Sequence, residues 1–293
     1  MTRALVLGGG GITGIAWETG LLAGLADAGI DLTAADRVIG TSAGSIVGAQ
    51  ITGGLAIGEL YARQQAAPGT PGVDGAAPLA AIGRGVAVQF AWCLLRARGD
   101  IERFGRLLGR RAVAAARAGT VPSVEERYSQ VALRIGGLEF GDRDLRVTGV
   151  DVETGKLAVF GPHGTHADVS LEDAVNASCA VPCVYPPIPI RTGGAVRVFV
   201  DGGVRSGGNA DLAAGCDVAV VLSPLDRSIG PVRSAGAQLR DLGIPHVVIT
   251  PDDAARAAIG PNVLDPAARP GSARAGYAQA ALVADAVREV WDG

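Results

Sequence analysis

The chain has 293 residues and a formal net charge of −3; close to half of its residues are apolar and 19% are charged. That composition excludes a disordered chain, and the slightly acidic balance gives no reason to expect a nucleic-acid partner. Its 44 glycines, twice the usual share of about 7%, leave many backbone positions open to close approach.

The opening stretch MTRALVLGGGG has one arginine and a short apolar run before its glycines, too little for a secretory leader. No apolar run is long enough for a membrane-spanning helix, so the expected location is cytoplasmic, with peripheral contact at a membrane left open. Residues 4–7 (ALVL) read as a buried strand running into Gly8-Gly9-Gly10-Gly11-Ile12-Thr13-Gly14. IAWETGLLAGLADAG follows with helical spacing of Ile15, Leu22 and Leu25, and Gly29 suits its end. RVIG at 37–40 is a second strand, and Ser42 to about Ala66 reads as one glycine-weakened helix. Strand, turn and helix, twice over, is the grammar of a parallel sheet with crossover helices.

Residues 68–78 read as a loop and 79–118 as helical. DLRVTGVDVETGKLAVFGP gives two strands joined at Glu153-Thr154-Gly155, and LEDAVNASCA a short helix. Pro182, Pro186, Pro187 and Pro189 then forbid helix. AVRVFV at 195–200 is read as a buried strand ending in Asp201-Gly202-Gly203; DVAVVLSP and PHVVITP are two more, and SARAGYAQAALVADAVREVW closes the chain as a helix. The expectation is one α/β domain over 1–293, a mostly parallel central sheet flanked by helices, with a helical insertion at about 68–135. Cys93, Cys179, Cys183 and Cys216 form no CxxC pair and read as buried free thiols, so neither a metal nor another cofactor is expected.

Three turns carry chemistry. Gly9-x-Gly11-x-x-Gly14 fits the dinucleotide pattern, but a glycine turn at a helix N-terminus can equally hold an oxyanion or simply pack tightly. The second strand disfavours a nucleotide, because it ends in Gly40-Thr41-Ser42 and not in a ribose-binding acid. Gly40-x-Ser42-x-Gly44 instead has the form of a nucleophile elbow between strand and helix. Serine needs a base. His246 precedes its strand and so falls at the wrong edge of the sheet, while His163 and His166 lie in a loop and read as solvated. Asp201 follows a strand, as Ser42 does, and Gly202 and Gly203 clear space beside it; burial would raise its basicity.

GGGGITG, GTSAGS, NASCAVPCVYPPIPI and DGGVRSGGNADLAAG, in this order, resemble the patatin-like phospholipase family. The likeness covers residues 4–66 and about 145–293. It implies a Ser42–Asp201 dyad without histidine, an oxyanion hole of Gly9, Gly10 and Gly11 amides, and metal-free hydrolysis of lipid acyl esters. One departure is Thr13, where the family usually places Lys or Arg; Arg205 is a candidate substitute. Two other readings compete: a catalytically weak or inactive lipid-binding member of the fold, and a nucleotide-binding protein using GxGxxG. Residues 79–118 hold eight arginines against Asp100 and Glu102. Arg103, Arg106 and Arg110 share one face, so the segment is either a lid docking on anionic lipid or a helical pair packed on the core.

Overall fold

The computed structural model describes residues 1–70, 83–225 and 230–293. Most of the loop expected at 68–78 lies outside them. Eight strands form one sheet in the order β5-β6-β3-β2-β1-β7-β8, with β4 paired to β3. The strands are β1 Arg3–Leu7, β2 Arg37–Gly40, β3 Asp144–Asp151, β4 Leu157–Phe160, β5 Ile188–Thr192, β6 Ala195–Asp201, β7 Val218–Leu222 and β8 His246–Ile249. β3, β2, β1, β7 and β8 run parallel, as the alternation of strand and helix requires.

Both faces of β1, β2 and β7 are covered, which is why these strands read as short apolar runs, whereas β8, expected to be buried, lies at the sheet edge with only Ile249 buried and Val248 exposed. Leu5 and Leu7 of β1 face a core shared with α1 Gly11–Asp27, α2 Ala43–Thr52 and the closing helix α10 Arg269–Trp291. Ala4 and Val6 face the opposite layer, where Ile39, Ala219, Val221 and Leu239 gather. The helix expected from Ser42 to Ala66 is in fact two, α2 and α3 Ile57–Gln65, separated at Gly53-Gly54.

The helical stretch between α3 and β3 comprises α4 Arg84–Ala97, α5 Ile101–Arg117 and α6 Val124–Ile135. Asp100 caps α5 by accepting the Arg103 N–H, and Ser123 with Glu126 forms a capping box on α6. α5 buries Phe104, Leu108 and Ala112 against Val150 and Val200. Each such large apolar side chain contributes about 1.5–3 kcal/mol on burial. α7 Leu171–Ser178 matches the expected short helix; α8 Ala235–Asp241 and α9 Asp253–Ile259 flank β8 in sequence.

On the far side of β3 the sheet turns antiparallel. β6 pairs antiparallel with β3, and β5 with β6. β5 went unread in the proline-rich stretch; Pro189 is tolerated because the strand lies at the sheet edge. β6 is less buried than its apolar run implies, since Ala195, Val196 and Arg197 are exposed and only its last three residues are covered. Its direction has a consequence for chemistry. β2 pairs with the first half of β3, ending at Gly40 opposite Val147, and β6 pairs with the second half, ending at Asp201 opposite Gly149. Both lie on the same side of β3, because β4 holds the other side of Val147 and Gly149. The two strands therefore meet end to end, two register positions apart, with Thr148 between them.

Candidate active site

Ser42 sits on the turn that follows β2 with φ 52° and ψ −115°. A non-glycine residue rarely adopts positive φ, and such a conformation costs about 1–3 kcal/mol unless its surroundings hold it. Several contacts do. The Ser42 N–H donates to Ser178 Oγ at 2.9 Å, and its carbonyl accepts from Ser45 Oγ at 2.6 Å and from Cys179 Sγ at 3.3 Å. The end of α7 thus clasps the turn. Gly44 lets α2 lie against β1: a Cβ there would stand 2.2 Å from the Leu7 carbonyl oxygen. Gly40 ends β2, and Gly14 lies in the first turn of α1 beside Ala43.

Asp201 is 4% exposed. Its Oδ1 accepts the Gly203 N–H at 2.7 Å, while Oδ2 is buried with no hydrogen-bond partner among the described residues. Burial raises the carboxyl to about 6; the Gly203 N–H, the neighbouring Ser42 hydroxyl and the charge of Arg127 each work against that rise. The Ser42 hydroxyl and the Asp201 carboxylate line one cavity, with no hydrogen bond of ordinary geometry between them among the described residues. Gly202 allows the turn to press onto β3, since a Cβ there would lie 2.3 Å from Thr148 Oγ1.

A buried polar knot ties the two turns together beneath the surface. Thr41 and Thr148 hydroxyls are 2.8 Å apart, and Asn209 Nδ2 donates to Thr41 Oγ1 at 3.1 Å and to the Ser206 carbonyl at 3.0 Å. Asn209 itself is fully buried.

The glycine turn is close by. Gly9 lies against Ser42, with its would-be Cβ 3.5 Å from the serine Cβ. Its N–H, however, donates to the Gly207 carbonyl at 2.9 Å. The expectation that all three glycine amides face an oxyanion therefore needs correction at Gly9. Gly10 and Gly11, at the N-terminal end of α1, donate their N–H groups to no acceptor among the described residues, and both line the same cavity as Ser42 and Asp201. The positive end of the α1 dipole points there as well.

That cavity holds about 500 Å3 and is mostly apolar, walled by Ile46, Phe90, Leu94, Val181, Tyr185 and Leu264 among others. Its volume lies in the range of small-molecule pockets. Arg127 of α6 also lines it. This arginine is 7% exposed, donates to the Cys179 carbonyl at 3.3 Å and stacks 4.0 Å from the Tyr185 ring centroid. Sequence reasoning missed it. The available signal was its place in register with Val131 and Ile135, an arginine on the buried stripe of a helix. Tyr128 on the same helix donates to Asp173 at 2.5 Å, fixing α6 to α7.

Arg205 does not reach the cavity wall; it is braced by Asn209 and by both carboxylate oxygens of Asp211. Thr13 is buried and donates its N–H to the Val263 carbonyl. His246 begins β8, with its ring against the Ile244 carbonyl, away from the cavity. His163 is exposed, whereas His166 is half-buried, bonded to Thr192 and packed on Phe160 and Phe199 rather than solvated. Cys93, Cys179 and Cys216 are buried free thiols; Cys183 is partly exposed. No helix among the described residues is long and apolar enough to cross a membrane.

The chain belongs to the patatin-like phospholipase family, whose model matches residues 5–214. That places it in a family of lipid acyl hydrolases. Among solved structures, VipD from Legionella pneumophila aligns at 15% identity and a TM-score of 0.47, over 97% of this chain and 67% of VipD. The type III effector protein ExoU aligns at 19% identity and a TM-score of 0.36, over 96% of this chain but only 53% of ExoU. Comparison with curated proteins gave no significant match.

Proposed function

We infer that the protein hydrolyses carboxylic esters of lipids through Ser42 and Asp201. The observation that carries this reading is a serine at positive φ and a buried carboxylate of raised basicity in the lining of one apolar cavity. Asp201 accepts the Ser42 proton as Oγ attacks the ester carbonyl carbon. The tetrahedral oxyanion takes the N–H groups of Gly10 and Gly11, and losing one such donor costs about 3 kcal/mol of transition-state stabilisation. The carbon–oxygen bond of the alcohol then breaks, and Asp201 returns the proton to the leaving oxygen. Water attacks the acyl-enzyme, gives its proton to Asp201 and frees the fatty acid; the proton passes back to Ser42.

The cavity lining suits acyl chains, and the absence of a required histidine fits the remote position of His246. Arg127 stands where its charge favours the ionised form of Asp201.

The test is fluorophosphonate labelling combined with hydrolysis of a phospholipid and a simple ester. Label should appear on Ser42 and vanish in Ser42→Ala, and neither Ser42→Ala nor Asp201→Asn should turn over substrate. Substantial hydrolysis by Asp201→Asn would remove the dyad; absence of label on the wild-type serine would favour an inactive lipid-binding member.

A further inference from the structure

Helix α4 is apolar on more sides than a helix in water sustains. One side is buried: Cys93 and Ala97 pack with Phe104 and Leu108 onto Val150 and Val200. A second side, including Phe90 and Leu94, lines the cavity that holds Ser42. A third has no apolar side chain packed on it among the described residues. Val88, Trp92 and Leu95 recur at helical spacing and are 68%, 38% and 79% exposed. Leu94, 38% exposed, joins this outer stripe to the cavity, and the cavity-lining Leu225 is 37% exposed too. Isolated exposed apolar residues are ordinary, but a contiguous set at the mouth of a pocket marks a contact surface.

The surroundings of the stripe are cationic. The Arg96 and Arg111 guanidiniums lie over the Trp92 ring, 4.9 and 4.7 Å from its centroid. Arg96, Arg98, Arg103, Arg110 and Arg111 are all exposed, and none enters an ion pair among the described residues. Arg106 is different: it donates to the Thr154 carbonyl at 2.8 Å and lies 3.8 Å from Glu102. Arg103, Arg110 and Arg111 of α5 thus join Arg96 and Arg98, at the end of α4, in supplying charge, and α4 supplies the apolar contact.

We propose that the outer face of α4, with the guanidiniums around it, docks on an anionic lipid bilayer. The docked face sets the mouth of the cavity against the membrane, so that a lipid passes from bilayer to cavity without crossing water. A second copy of this chain fits the face poorly, because a two-fold contact through it would bring the same unpaired guanidiniums together. Anionic head groups neutralise them, while Trp92 and Leu95 enter the boundary between head groups and acyl chains. The route to the cavity rests on the hydrolase reading; docking itself does not require turnover.

The experiment uses full-length Ser42→Ala protein and vesicles of phosphatidylcholine, alone or with an equal part of phosphatidylglycerol. The other two tryptophans, Trp17 and Trp291, are buried, so the change in emission reports Trp92. Expected are a blue shift with anionic vesicles only, quenching by lipids brominated in the acyl chain, and reversal by salt. Leu95→Asp and Arg96→Glu should each weaken sedimentation with these vesicles by about tenfold or more. Introduced into the chain with Ser42 intact, the same two substitutions should leave hydrolysis of a soluble short-chain ester unchanged. Trp92→Phe should remove the optical signal while sedimentation persists. No binding to either vesicle, equal binding to both, or concentration-dependent self-association that covers Trp92 without lipid would each overturn the proposal. Ester hydrolysis without docking would refute docking alone, and docking without hydrolysis would refute the dyad alone.

Discussion

Asp201 is the residue whose chemistry the fold alters most measurably, and Asp201→Asn isolates the effect. Burial lifts the carboxyl from an ordinary value of 3.8 to about 6. The folded state then holds its proton where the unfolded chain has released it, so wild-type stability falls as pH rises through this window. Below 3.8 both states are protonated and nothing is lost; above 6 both are ionised and the folded state carries the whole penalty. A shift of about two units corresponds to about 3 kcal/mol at 1.36 kcal/mol per unit. About 2 kcal/mol of it develops between pH 4.5 and pH 8. Asparagine does not ionise, so the stability of Asp201→Asn relative to wild type should rise by about that amount across the same interval. Urea denaturation of both proteins at the two pH values measures it, and the buried Glu18, whose carboxyl burial also pushes up, cancels because both proteins contain it. A difference that stays constant within a few tenths of a kcal/mol would refute the claim that burial raises Asp201.

Arg127→Met removes a charge that favours ionised Asp201. The acid limb of fluorophosphonate labelling should therefore move above pH 6, with Arg127→Lys falling between; a purely packing role would lower the rate without moving the limb. Asn209→Ala leaves Thr41, Thr148 and two carbonyls short of a buried donor, so unfolding free energy should drop by about 1–3 kcal/mol and Ser42 labelling should slow. An unchanged denaturation midpoint would refute that role for the knot. His246→Ala should keep ester hydrolysis near wild type; a loss beyond tenfold would bring back a histidine base.

Much of the frame was legible in the sequence. Short apolar runs marked β1, β2 and β7, because strands covered on both faces have no polar side to show; β8 was marked by the same pattern although only Ile249 is buried. The three glycine-containing turns stood out for a related reason: close backbone approach, as at Gly44 against Leu7, excludes other residues, and local pattern records that exclusion. β5 was obscured, since its prolines argue against a strand unless its place at the sheet edge is known. Gly9 was misjudged as a donor because its acceptor, Gly207, is remote in the chain.

What sequence alone determined, then, was local: which segments extend, which coil, and where a serine and an aspartate sit on sharp turns. The tertiary structure decided the direction of β6, and with it the end-to-end meeting of β2 and β6 over Thr148. It also decided that Arg127 is buried beside the cavity, and that α4 turns one apolar face outward. Strand direction and side-chain burial depend on which distant segments pair. That choice is made by the energy of the whole assembly, and no short window of residues contains it.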